Sequence, residues 1–223
     1  TQPLRSKPLG GKNYISNTES HMKIVLIGGE GTIGKKVNTH LSKKHEVIIA
    51  GRKAGDFVVD ITAADSIQSM YESIENIDAI ACIAGDAKWS ALESMTEDDF
   101  YIGIKSKLMG QVNLVRIGQK YLKPGGSFTL TTGILADHPV ALTTSAAMVN
   151  GGIHSFVKAA SLELNNGMRI NAVSSGLVED AVEKYADYFP GHNPIPMHKV
   201  INGYVKSIEG KGTGEIIKMY DNC

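Results

Sequence analysis

The sequence predicts an α/β fold in a single domain: a doubly wound parallel sheet of about seven strands with helices on both faces. Three observations carry this. Short strand-like runs alternate with longer helical patterns, as βαβ units require. Several of the runs are continuously apolar, as expected of parallel strands covered on both sides. The 223 residues supply one sizeable core, and no internal repeat or low-complexity linker divides them.

The strand-like runs fall at 24–27, 47–50, 57–59, 79–83, 127–131, 169–173 and 215–219. Apolar residues at helical spacing predict helices over 32–44, 64–74, 97–121, 145–165, 178–185 and 198–208. The least regular native stretch, 185–196 (YADYFPGHNPIP), is punctuated by Pro, Gly and Asn and reads as a lid-like loop. Residues 1–21 have no apolar periodicity and run into Met22, so they read as a cloning-derived leader ahead of a domain spanning 22–223.

Composition narrows the functional class. Lys and Arg number 23 and Asp and Glu number 23, which leaves no general electrostatic attraction for nucleic acid or for anionic membrane. No apolar run approaches the length of a membrane span, and no secretory leader is visible, so the expected setting is cytoplasmic. The two cysteines, Cys82 and Cys223, have neither metal-ligand spacing nor the density of a disulfide scaffold. Cys82, in an apolar strand, is expected in the core, and Cys223 as a loose terminal thiol.

The richest stretch is 23–34, KIVLIGGEGTIG. Gly28 lets the chain turn sharply out of a strand, Gly31 lets backbone approach a pyrophosphate, and Gly34 allows close helix packing. The amides that open the following helix suit an anion, and Thr32 adds a hydroxyl there. With a strand before and a helix after it, the turn predicts a dinucleotide site built on Gly28, Gly29, Glu30, Gly31, Thr32 and Ile33.

The order of motifs resembles the short-chain dehydrogenase/reductase family over essentially all of 22–220, which implies a Rossmann fold. The second strand runs into Ala50-Gly51-Arg52-Lys53, at the place that selects the cofactor. An acidic residue there suits NAD, whereas the planar guanidinium of Arg52, with Lys53 beside it, suits a 2′-phosphate and implies NADP(H). Asp60-Ile61-Thr62 resembles the segment that lies against adenine. Cys82-Ile83-Ala84-Gly85 stands where the family has Asn-Asn-Ala-Gly, so Ile83, Ala84 and Gly85 are placed near the adenosine ribose. Arg169-Ile170-Asn171-Ala172-Val173 is close to the family's Arg-Val-Asn-Ala-Val strand, and Thr213-Gly214 resembles the opening of its last strand. Ser175-Gly176 replaces Pro-Gly and puts Leu177 and Val178 near the nicotinamide carboxamide.

The resemblance breaks at the catalytic pair. Members use Tyr-x-x-x-Lys, the Tyr exchanging a proton with the substrate oxygen while the Lys holds the ribose. Aligned back from Leu162-Glu163-Leu164, those places hold Ala146 and Asn150. The family's serine falls at Thr132 or Gly133, of which Thr132 keeps a hydroxyl, with Thr131 beside it on the cofactor side. Lys107 occupies the place of a family asparagine, so Asn and Lys stand exchanged. The resemblance then implies that Lys107 serves the nicotinamide ribose with Asn150 as its hydrogen-bond partner. The catalytic candidates are Thr132, Lys107 and Asn150, with Tyr185, Tyr188 and His192 of the lid as further proton donors.

The expected function is NADP(H)-dependent oxidoreduction of a small carbonyl-type substrate at a non-standard site, without a metal. The alternative is a non-catalytic NADP(H)-binding sensor or scaffold. Family members pair through the two long helices, here 97–121 and 145–165, which implies a homodimer or homotetramer.

Overall fold

A computed structural model of the protein describes residues 21–220; the expected leader over residues 1–21, all but its last residue, and the expected terminal thiol of Cys223 lie outside the described residues. Strand β1 (Lys23–Ile27) sends Ile24 and Leu26 to one face of the sheet and Val25 and Ile27 to the other, and all four are at most 1% exposed. Such two-sided burial is why the run is apolar throughout, each side chain contributing about 1.5–3 kcal/mol on leaving water.

From β1 the chain steps outward to β2 (Glu46–Gly51) and β3 (Phe57–Val58), then crosses back to β4 (Ile77–Cys82) on the other side of β1. It continues through β5 (Leu122–Gly133) and β6 (Arg169–Ser175) to β7 (Ile216–Met219). The seven strands are parallel in the order β3-β2-β1-β4-β5-β6-β7. The winding reverses between β1 and β4, and the crevice beyond their carboxyl ends is where such sheets bind ligands.

Helices α1 (Thr32–Leu41) and α7 (Met197–Glu209) cover one face through Val37, Leu41, Val200, Tyr204 and Ile208. Helices α2 (Ala64–Glu72), α4 (Met109–Gly118) and α5 (Thr144–Ala160) cover the other through Ile67, Tyr71, Leu114, Ile153 and Val157. The buried Tyr71 hydroxyl donates to Leu114 O at 2.8 Å, which makes its burial affordable.

Three expected helices differ in form. The helix expected over 97–121 is α3 (Glu97–Gly103), a π-helical turn at Ile104–Leu108, and α4. The wide turn frees carbonyls, and the buried Gln111 Nε2 donates to Lys107 O (3.2 Å) and to Thr131 O (2.9 Å), while Thr131 N donates back to Gln111 Oε1 (2.7 Å). The turn is thus clamped to the end of β5. The helix expected over 145–165 ends at Ala160, because Asn166 (φ 56°) and Gly167 (φ 70°) reverse the chain into β6. Over 178–185, Val178 is extended and bridges Ile195, and regular helix is confined to the single turn α6 (Val182–Tyr185). Cys82 is buried as expected. Among the described residues no helix is long and apolar enough to cross a membrane.

Candidate active site

The glycine turn is built as its spacing requires. Gly28 has φ +83°, and a Cβ there would stand 2.9 Å from the carbonyl carbon and oxygen of Ile83, so the chain leaving β1 presses on the end of β4. A Cβ at Gly34 would lie 2.1 Å from Gly28 O, so α1 begins directly on the turn. In front of Gly31 the nearest atom to such a Cβ is 3.5 Å away, and the first turn of α1 carries no acidic side chain. The result is a recess of bare backbone facing helix amides, suited to phosphate.

This recess opens into a cleft of about 290 Å³ that gathers Gly28, Gly31, Arg52, Asp60, Ile61, Ile83, Ala84 and Gly85. Asp86 and Ser106 line it as well, and Ser106 Oγ accepts from Asp86 N at 3.0 Å. Sequence reasoning did not single them out, though each directly follows or precedes a residue it did. Asp60 Oδ1 accepts from the N–H (2.9 Å) and the hydroxyl (2.8 Å) of Thr62. Those two bonds, with a smaller pull from Arg52, hold its carboxyl below the usual range. Among the described residues no carboxylate lies within ion-pair distance of Arg52, which is exposed at the mouth of the cleft.

A second, apolar cleft of about 170 Å³ lies at the ends of β5 and β6, lined by Ile33, Gly133, Ser175, Gly176, Leu177 and Val178, and covered by Trp89, Tyr185 and Phe189. Trp89 packs against Tyr185 (5.6 Å between centroids), Tyr188 (5.7 Å) and Phe189 (6.3 Å). The loop carrying these rings is pinned at its base, where Ile195 N donates to Leu177 O (2.8 Å) and Glu179 N to Ile195 O (3.0 Å). Ala146 is 5% exposed in an apolar cluster with Ile134, Leu135, Leu177 and Phe189. The Ala146 methyl group is thus enclosed by apolar side chains.

Other expected site residues lie elsewhere. Gly29 faces the Ile49 side chain, and Glu30 is turned to solvent in an ion pair with Lys35 (3.7 Å). Lys53 and Thr32 are exposed and line neither cleft. Thr131 is a structural pin: its hydroxyl donates to Cys82 O (2.6 Å) and shares a 2.7 Å hydrogen bond with Tyr204 Oη. Thr132 faces α5 and shares a 2.8 Å hydrogen bond with His154 Nε2, a partner one helical turn beyond Asn150 that sequence reasoning missed. The apolar cleft is lined at this point by Gly133 and not by Thr132.

Lys107 backs onto the first cleft. A Cβ at Gly85 would meet Lys107 Cα at 2.8 Å, and the lysine stem runs along that glycine. Burial pushes its ammonium below the usual lysine value, against upward pulls from Cys82 and Asp86. The Cys82 thiol is pushed up to about 11, again by burial. The expected hydrogen bond from Lys107 to Asn150 is absent among the described residues, because the stem packs along Gly85. Asn150, 4% exposed, has its Oδ1 buried with no partner, and its Nδ2 lies 3.7 Å from where a Gly133 Cβ would be.

Comparison with known proteins bears on these clefts. The family model described as Enoyl-(Acyl carrier protein) reductase matches residues 33–199. The crystal structure of the protein lin1944 from Listeria innocua is 46% identical, covers 89% of this chain and 100% of its own, and superimposes with a TM-score of 0.88. A small-chain dehydrogenase in complex with NADPH is 26% identical, with coverage of 89% and 96% and a TM-score of 0.79. Among curated proteins, the short-chain dehydrogenase/reductase ucsE of an Acremonium species is 26% identical over 190 residues, 70% of this chain and 72% of its own.

Proposed function

We propose, from the premise that this chain belongs to the short-chain dehydrogenase/reductase family, that it is an NADP(H)-dependent oxidoreductase acting on a small carbonyl-type substrate. The observation that carries the cofactor reading is the meeting of the bare glycine turn, the unpaired Arg52 and the Thr62-held Asp60 in one cleft. The residues fit the group: the recess before Gly31 has room for a pyrophosphate, and the orphaned Asn150 Oδ1 is an acceptor awaiting a hydroxyl such as those of the nicotinamide ribose. When bound, a reduced nicotinamide supplies hydride.

The chain's own work is then to bind and orient. The amides of the glycine turn hold the diphosphate, Arg52 the 2′-phosphate, Asp60 and Ile61 the adenine, and Ala84 and Gly85 the adenosine ribose. Asn150 and Lys107 flank the nicotinamide ribose, and Leu177 with Val178 meets the carboxamide. Trp89 and Phe189 exclude water from the apolar cleft, which favours transfer between carbon centres.

A second reading rests on Ala146, a methyl group in apolar surroundings: a non-catalytic NADP(H)-binding sensor or scaffold. The deciding experiment follows NADPH oxidation across aldehydes, ketones, quinones and enones beside a direct binding titration. The oxidoreductase reading expects turnover of at least one class. Tight NADPH binding with no turnover refutes it and favours the sensor.

A further inference from the structure

The geometry points to Tyr185, on the loop that covers the apolar cleft, as the group that gives a proton to the oxygen of an uncharged carbonyl substrate in place of the tyrosine missing at Ala146. This rests on the oxidoreductase reading above.

The walls of the cleft leave few alternatives. Ile134, Leu135 and Leu177 carry no dissociable proton, and Ser175 offers only an aliphatic hydroxyl, a far weaker acid than a phenol. Among the described residues Tyr185 is the one phenol lining the cleft, and it packs on the apolar cluster that holds Ala146; Tyr220 packs there too, but its hydroxyl donates to Asp137. A phenol ring is thus presented to that wall from α6. Tyr188, three residues on, is 43% exposed, meets Trp89 edge-on and does not line the cleft.

Two features prepare Tyr185 for this role. Its ring is held at a tilt against Trp89, on a loop pinned at Val178 and Ile195, so the phenol is ordered before substrate arrives. The Lys184 ammonium lies over the face of the same ring, 4.9 Å from its centroid, and helps to hold it in place. Among the described residues no charged side chain lines the cleft, so a substrate carboxylate there would lack a partner, and the site selects uncharged molecules. A reduced nicotinamide, when bound, would supply hydride to the carbonyl carbon, and the carbonyl π electrons would move to oxygen. The Tyr185 O–H bond breaks, the substrate O–H bond forms, and the tyrosinate recovers its proton from water.

The test compares Tyr185→Phe and Tyr188→Phe with the wild-type protein, both variants keeping the ring and hence the packing. The first readout is kinetic, on whichever carbonyl the wild type reduces. Tyr185→Phe is expected to lower kcat by about 10²–10⁴ with little change in KM, and Tyr188→Phe to leave both near wild type. The second needs no cofactor or turnover. Trp89 is the single tryptophan, and its fluorescence reports titration with cyclohexanecarboxamide, an unreactive neutral carbonyl. Loss of a neutral hydrogen bond predicts up to about tenfold weaker binding in Tyr185→Phe and none in Tyr188→Phe. A wild type that reduces no carbonyl overturns the oxidoreductase reading and this step with it. A wild type that reduces one, with Tyr185→Phe equally active or binding the amide equally well, overturns the assignment of Tyr185 alone.

Discussion

On the proposed assignment, replacing Arg52 by alanine should separate recognition of the 2′-phosphate from the rest of the cofactor. Arg52 is exposed at the mouth of the cleft with no carboxylate paired to it among the described residues. The guanidinium is therefore free to make charge-assisted hydrogen bonds, which contribute about 1.5–3 kcal/mol. Solvent screening at so exposed a position puts the sum near the lower figure. About 1.5 kcal/mol corresponds to NADPH binding weakened roughly 10- to 15-fold. NADH lacks the phosphate and should change by less than about twofold. The adenine end is insulated, because the hydrogen bonds from Thr62 outweigh Arg52 in keeping Asp60 ionised. Isothermal titration of both cofactors on wild type and Arg52→Ala measures the four affinities. Equal weakening of NADPH and NADH, or no weakening of NADPH, would refute the assignment.

Three further outcomes follow from the packing. Lys107→Ala should weaken NADPH and NADH alike, by about 10- to 100-fold if the ammonium bonds the common ribose; titration returning wild-type affinity for both would exclude Lys107 from the cofactor. His154, half-buried against Thr132, is held below its ordinary value of 6.5 by burial, which outweighs the upward pull of Asp137. The folded state thus binds fewer protons, so the stability His154 confers is full above pH 6.5 and lost as pH falls through the lower folded value. Urea midpoints at pH 7.5 and 5 should accordingly fall less in His154→Gln than in wild type, and parallel falls would contradict this. Met109 and Met148 are 40% and 45% exposed on α4 and α5, and light scattering should find a dimer or larger that Met148→Arg reduces to monomer; a monomeric wild type would remove these helices as an interface.

The strands and their order of use were legible because burial on both faces demands unbroken apolar runs, and a run such as Ile24 to Ile27 admits little else. The glycine turn was legible for a related reason. Gly28 and Gly34 leave no space for a Cβ, so the residue type itself records the contact. Arg52 and Asp60 were named through the family resemblance of the segments that carry them, and the fold brings both into one cleft. Side-chain direction near the ends of β5 and α5 was not legible. Thr132 kept the hydroxyl that chemistry asked for, yet that hydroxyl meets His154, and the cleft is lined by Gly133 instead. The π-helical turn at Ile104–Leu108 likewise has no local signature, because it exists through the Gln111 clamp to Thr131.

What the sequence alone determined, then, is the doubly wound sheet and the cradle at its switch point, both set by local residue types and their periodicity. What only the tertiary structure decided is which polar groups meet: Lys107 along Gly85, Asn150 with an orphaned oxygen, and Tyr185 beside Trp89 over the apolar cleft. Those meetings join segments dozens of residues apart, and their geometry is the outcome of packing rather than of any local preference.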